Sequence, residues 1–289
     1  IRSLKEGLIA NKISKIYGIL NGTSNYILSS MDKQNKSFDS VLSSAKKLGY
    51  AEANPSADLN GNDVSSKLKI LSSLCFNSFL NNNIYVEGIN DIDKTDIDNA
   101  NKLGYKIKLL GFAELLNNKI YQRVHPTLIK KESYVASIDG VLNAVIVDGK
   151  PVGQSIIQGE GAGPSATTSA LISDISSILR GNVKFPFSLS SKERKKIRFE
   201  NIEERYFSSY LRFEVIDKPG VLSNITNIFS KNRVSIKRLI QNPNKNKKNS
   251  SIIIITHKSK NKSLKKILIT VMKKSYIKRK PKLIRIDDI

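Results

Sequence analysis

YKIKLLGFA at Tyr105–Ala113, IYQRV at Ile120–Val124, VASIDGVLNAVIV at Val135–Val147 and QSIIQ at Gln154–Gln158 are four apolar, β-branched runs in close succession. Runs of this length, parted by breaks rich in Asn, Gly and Pro, predict strands. No helix-length interval separates them, so antiparallel neighbours are expected rather than parallel strands joined by crossover helices. Helices are predicted on either side, from Lys94 to Leu103 and from Thr167 to Leu179. The fold class is therefore α+β, a mixed or antiparallel sheet with helices, and not a doubly wound Rossmann unit.

Working back towards the N-terminus, Val86–Ile89 reads as a short strand, Ser37–Lys47 as a helix, Lys15–Leu20 (KIYGIL) as a buried strand and Ser3–Ala10 as a short helix. Between the KIYGIL strand and a helix at Tyr26–Asp32 lies Asn21-Gly22-Thr23-Ser24-Asn25, a turn that also caps that helix. Backbone amides at a strand-to-helix turn can hold an anion or approach a flat cofactor, and Gly22 permits the approach. Past the strand run, Gly159-Glu160-Gly161-Ala162-Gly163 has the position of a phosphate or nicotinamide loop. Its spacing is G-x-G-x-G, short of the G-x-G-x-x-G dinucleotide signature, and a tight turn between packed strand and helix accounts for it equally well.

The chemistry-bearing stretch is GYAEANPSADLNGNDVSSK, Gly49–Lys67. Pro55 and Gly61 punctuate an irregular loop that carries Glu52 and Asp58, and a helix then begins with Asn60 and Asn62 as candidate caps. Asp63 falls in the first turn, where a carboxylate favours the positive end of the helix dipole, and Lys67 follows at i+4 on the same face. Val64, Leu68, Leu71 and Cys75 form the apolar stripe, so that Lys67 is expected at the border of the core and Lys69 on ordinary surface. A lysine so placed, paired with an aspartate beneath a carboxylate-bearing loop, can donate a proton to a carbonyl oxygen; a helix-supporting Asp–Lys pair is the structural alternative.

From Gly181 to Arg205 the sequence turns polar and charged and reads as a linker. Beyond it come a strand at Tyr210–Ile216, the turn Asp217-Lys218-Pro219-Gly220, a helix at Val221–Lys231, strands at Val234–Gln241 and Ser251–His257 around an Asn/Lys hairpin loop at Asn242–Asn249, a helix at Leu264–Lys274 and a strand at Leu283–Ile286. The order βαββαβ is ferredoxin-like. The predicted domains are residues 1–182, a linker at 183–206, and residues 207–289.

The 289 residues carry 48 Lys and Arg against 25 Asp and Glu, a formal charge of +23. Most of the excess falls after residue 230, on helix, strand and loop alike, mixed with Asn, Ser and Ile. That spread argues for compositional bias rather than a nucleic-acid face, and leaves only weak attraction to polyanions. No apolar run reaches the ~18 residues of a membrane span. The first residues, IRSLKEGLIANK, lack a signal-peptide core, so a cytoplasmic protein is expected. The single Cys75 excludes an internal disulfide, and no Cys/His cluster offers a metal site.

These segments resemble the catalytic domain of homoserine dehydrogenase: GILNGTSNYIL (Gly18–Leu28), LGYAEANPSADLNGNDVSSKLKIL (Leu48–Leu71), VEGI (Val86–Ile89) and GEGAGPSATTSALISDI (Gly159–Ile175). The second is the most specific, matching the family pattern at Gly49, Tyr50, Glu52, Pro55, Asp58, Gly61, Asp63 and Lys67, with Asn54 where the family usually has Asp. DKPGVLSNI (Asp217–Ile225) is similar to the turn and first helix of an ACT domain. The resemblance implies NAD(P)-dependent interconversion of aspartate semialdehyde and homoserine in threonine, methionine and isoleucine synthesis, by a homo-oligomer. It further implies Lys67 as proton donor with Asp63 orienting it, Tyr50, Glu52 and Asp58 on the substrate, Asn21, Gly22, Thr23, Gly161 and Gly163 beside NAD or NADP, and Asp217 and Gly220 at a regulatory site for threonine. The family places a Rossmann domain before these segments. A chain starting at Ile1 is thus expected to be a fragment that neither binds NAD(P) tightly nor turns over alone. The competing expectation is an amino-acid-sensing dimerisation module without catalysis.

Overall fold

The computed structural model describes residues 1–80, 84–182, 187, 190, 192–243 and 248–289. Contacts divide the chain into two units, Ile1–Pro126 with Lys130–Glu200, and Asn201–Ile289 with Thr127–Ile129.

In the first unit the strands are β1 (Lys12–Ile19), β2 (Tyr85–Val86), β3 (Tyr105–Leu116), β4 (Lys119–Lys130), β5 (Leu142–Lys150), β6 (Gly153–Glu160) and β7 (Arg198–Glu200). They order as β6-β5-β1-β3-β4, with β2 and β7 paired parallel to β4. The pairs β1–β3, β1–β5 and β5–β6 are antiparallel, as expected of closely spaced strands. Asn117 and Asn118 close the β3–β4 hairpin with φ of 50° and 56°, the left-handed backbone that tight hairpin turns need and asparagine tolerates. The helices are α1 (Gly22–Gln34), α2 (Phe38–Lys47), α3 (Ser56–Leu59), α4 (Asn62–Phe76), α5 (Lys94–Lys102), α6 (Tyr134–Ser137) and α7 (Pro164–Leu179). Val64 and Leu68 of α4 are fully buried. Gly111 of β3 lets that helix come close, because a methyl there would meet Leu20, Val64 and Leu68 at 3.0, 3.1 and 3.6 Å.

Several expectations need correction. Ser3–Ala10 forms only a five-residue π-helical turn, Ser3–Gly7. The short strand is Tyr85–Val86 rather than Val86–Ile89, and the loop before α4 contains the one-turn helix α3. Neither Asn60 nor Asn62 caps α4: the cap is Gly61 at φ 84°, while the Asn60 side chain accepts from the Asn62 amide at 3.3 Å. Val135–Val147 is not one strand but α6, a turn and the first part of β5. Its apolar content is strand-like, yet the Asn25 amide binds the carbonyls of Ile138, Gly140 and Leu142, and Gly140 turns the chain at φ 67°.

The second unit holds β8 (Tyr206–Ile216), α8 (Val221–Lys231), β9 (Ile236–Pro243), β10 (Asn249–Thr256), β11 (Ser259–Lys260), α9 (Asn261–Met272) and β12 (Lys282–Asp287). The sheet order β12-β8-β10-β9 is the ferredoxin-like one, with β11 on the start of β8 and Thr127–Ile129 alongside Arg285–Asp287. Val221, Ile225, Ile228 and Phe229 make the apolar stripe of α8, and Phe229 meets Phe213 edge-on at 6.2 Å. The expected hairpin loop at Asn242–Asn249 includes residues 244–247, outside the described residues.

Candidate active site

β1 ends at Ile19, and the chain passes through buried Leu20 and Asn21 into α1. Asn21 is the N-cap, its side-chain oxygen accepting from the Ser24 amide at 2.8 Å. The same side chain donates through Nδ2 to Asp58 Oδ1 at 2.7 Å and to Asp63 Oδ2 at 2.9 Å. Asp63 Oδ2 also takes the Lys67 ammonium at 2.8 Å, and Lys67 Nζ donates to the Leu20 carbonyl at 3.0 Å. Thus α3, α4 and the end of β1 bring Asp58, Asp63 and Lys67 onto one turn. Lys67, expected at the border of the core, is exposed instead: its side chain is 46% accessible, and it is the hydrogen bond of its ammonium to the Leu20 carbonyl that ties it to the strand end. Lys69, read as ordinary surface, is half-buried instead.

The Thr23 hydroxyl donates to the Tyr50 carbonyl at 2.7 Å, and the Tyr50 ring packs against Tyr26 at 5.0 Å. The Gly49–Asn54 loop is so tied to the first turn of α1, with Glu52 exposed on it. Asn54 accepts from the Ser56 amide at 3.3 Å through its side-chain oxygen, a bond that an aspartate would make equally well. Gly22 lies against Val141, whose carbonyl oxygen would sit 2.7 Å from a methyl at position 22. Gly161 lies against Asn143, whose amide would occupy the place of any side chain there, and Gly163 caps α7 at φ 106°. The turn at residues 21–23 and the Gly159–Gly163 loop therefore flank the same segment, Val141–Asn143.

The turn just before that segment is held by a buried charge pair. Lys108, 2% exposed, reaches Asp139 at 2.8 Å and the side-chain oxygen of Asn25 at 3.2 Å, and Lys33 adds a second cation to Asp139 at 3.0 Å. Burial lowers the Lys108 pKa against the opposing pull of Asp139. Burial alone would raise the Asp139 pKa, but the hydrogen bond and charge of Lys108, with Lys33 and Lys106, hold it below its usual range. Sequence reasoning missed this pair, because charged residues inside a strand pattern carry no sign of their partners.

In the second unit Asp217 and Gly220 edge a cavity of about 350 Å³ lined also by Lys218, Leu222, Gln241 and Ile252. Gln241 Nε2 donates to Asp217 Oδ1 at 3.3 Å. Gly220 precedes α8 at φ 84°, and no atom stands within 4 Å of where its side chain would be.

Of the three glycines only Gly163 leaves open space, with no atom within 4 Å of where a methyl would stand, while Val141 and Asn143 fill the space beside Gly22 and Gly161. The buried Asn143 Oδ1, without a hydrogen-bond partner among the described residues, is an acceptor that suits a carboxamide N–H. The fixed ammonium of Lys67 beside carboxylates suits proton transfer to an oxygen of a small cationic substrate.

Residues 1–176 match the homoserine dehydrogenase family and residues 209–268 the ACT domain. Homoserine dehydrogenases of Neisseria gonorrhoeae and Helicobacter pylori are 38% and 39% identical, over 100% of this chain and 68% of theirs. A crystal structure of a homoserine dehydrogenase from Thiobacillus denitrificans superposes with a TM-score of 0.90 at 36% identity, over 99% of this chain and 67% of that one. These matches favour the oxidoreductase over a sensing module without catalysis.

Proposed function

Since this chain belongs to the homoserine dehydrogenase family, the NAD(P)-dependent oxidoreductases that interconvert L-aspartate 4-semialdehyde and L-homoserine, we propose that the Leu20–Thr23 turn and Gly49–Lys67 form the substrate side of that active site. The observation that carries the proposal is the Lys67 ammonium, fixed by Asp63 and the Leu20 carbonyl yet still open to solvent. An ammonium has three N–H donors, so two are used for placement and one remains for a substrate oxygen. A nicotinamide held there would supply the hydride, and the semialdehyde oxygen would then carry the negative charge. Lys67 stabilises that charge and gives the oxygen its proton, an effect of about 10²- to 10⁴-fold. Asp63 holds the donor in place, and in the reverse direction keeps the ammonium ready to form as Lys67 takes the homoserine hydroxyl proton.

Glu52 and the second oxygen of Asp58 meet the substrate's α-ammonium, with Tyr50 closing that side. Gly22, Thr23, Gly161 and Gly163 stand beside NAD or NADP, with Asn143 Oδ1 as an acceptor for carboxamide N–H. At the second unit, Asp217 and Gly220 bind an amino-acid effector, threonine, from the pathway that the enzyme feeds. The setting is cytoplasmic amino-acid biosynthesis in a homo-oligomer; among the described residues no helix is long and apolar enough to cross a membrane.

The test is Lys67→Ala, expressed with whatever precedes Ile1 in its reading frame. Semialdehyde reduction should fall by about 10²- to 10⁴-fold while amino-acid binding to the second unit persists. A rate within about threefold of the parent's would remove the assignment.

A further inference from the structure

We propose that Asn21 is a positioning residue of the reaction, holding Asp58 and Asp63 in register with Lys67 rather than contacting the cofactor. The inference rests on the reading of Lys67 as proton donor. Asn21 is 5% exposed, and the polar atoms of its side chain are all engaged inside the protein: Oδ1 on the Ser24 amide, Nδ2 on Asp58 and on Asp63. The two carboxylates come from different elements, α3 and α4, and the amide joins them through one nitrogen. The Asp63 oxygen that it binds is the one that takes Lys67, and Lys67 also binds the carbonyl of Leu20, the residue before Asn21. Asn21 therefore fixes both anchors of the ammonium, the carboxylate directly and the carbonyl through the backbone.

Only one residue type at this place can do all of this. An N-cap needs a short side-chain acceptor, which Ser, Thr, Asp and Asn supply. Bridging two carboxylates needs two N–H donors on the same side chain, which among these only Asn has. Aspartate would keep the cap but put a third negative charge beside Asp58 and Asp63, with no donor between them. Serine would keep the cap and leave the two carboxylates facing each other unbridged, free to rotate away from Lys67.

The test is a double-mutant cycle in the enzyme expressed with whatever precedes Ile1: Asn21→Ser, Asn21→Asp and Lys67→Ala, with Asn21→Ser also made on the Lys67→Ala background. Asn21→Ser should lower kcat by about 10- to 100-fold, and Asn21→Asp should lower it further, with KM for the nicotinamide cofactor unchanged. On the Lys67→Ala background the Asn21→Ser effect should shrink to within about twofold, because the two changes remove one unit. An undiminished effect on that background, a change confined to the cofactor KM, or an unchanged kcat in Asn21→Ser would each overturn the proposal. If Asn21→Ser lowers the melting temperature, the Asn21→Asp variant, which has nearly the parent's shape and cap, carries the kcat comparison. A Lys67→Ala enzyme of normal rate overturns the proton-donor reading itself and is recognised without reference to Asn21.

Discussion

Gly61 shows how closely a single residue sets the site. It lies between the loop that carries Asp58 and the helix that carries Asp63 and Lys67, at φ 84°, with Val86, Val124 and the Glu87 carbonyl 3.1, 3.2 and 3.4 Å from where a methyl would stand. Left-handed backbone costs a non-glycine residue about 1 kcal/mol, and the crowding adds to it. Gly61→Ala should lose about 1–2 kcal/mol in urea unfolding and lower kcat by turning the first turn of α4. An alanine variant of full stability would show that the backbone relaxes freely there. At this scale the sequence was legible where the chemistry is local. Asp63 and Lys67 lie one helical turn apart, and their pairing follows from spacing. The contacts of Asn21 reach residues 37 and 42 positions away, and no local pattern announces them.

Among the elements, the turn between α6 and β5 departs furthest from expectation and has the clearest physical reason. Asn25 takes the carbonyls of Ile138 and Gly140 in the turn and of Leu142 at the start of β5, and Asp139 is drawn to the buried Lys108, which holds residues 138–141 out of the sheet. Removing one partner of a buried pair costs more than the pair contributes, because a charge is left behind. Asp139→Asn should therefore destabilise the protein by about 3 kcal/mol at neutral pH, and Lys108→Met by less, as read by denaturant midpoints. The pH dependence has a fixed sign. With the Asp139 pKa held below its ordinary value of 3.8, its stabilisation is present above pH 3.8 and is lost as pH falls through the folded value. The lowered Lys108 pKa acts at the other end, where stability rises with pH between the folded value and the ordinary 10.5. Replacing Asp139 should flatten the acid limb of the stability curve; an acid limb unchanged in Asp139→Asn would mean that other carboxylates set it.

For the molecule as a whole, two units of different kind lie in one chain, and the βαββαβ order of the second was readable from its turns and apolar runs. On the proposal that threonine is the effector bound in the cavity beside Asp217 and Gly220, threonine at a hundredfold excess over Kd should stabilise the second unit by about 2.7 kcal/mol, and Asp217→Asn should weaken the calorimetric signal. No heat and no stabilisation would remove threonine as the effector. The charge of +23 makes weak binding to polyanions at low salt expected, and its loss at physiological salt separates it from sequence recognition. Turnover needs substrate and cofactor held together in one site. The chain spans about two thirds of the length of the relatives that it matches, so turnover is measured with the full reading frame. The deciding measurement is the single-turnover rate of semialdehyde reduction in Lys67→Ala beside Lys69→Ala. Lys67→Ala should be slower by at least about 10², with Lys69→Ala near the parent rate. Equal rates in the two variants would contradict the assignment of Lys67 as the proton donor.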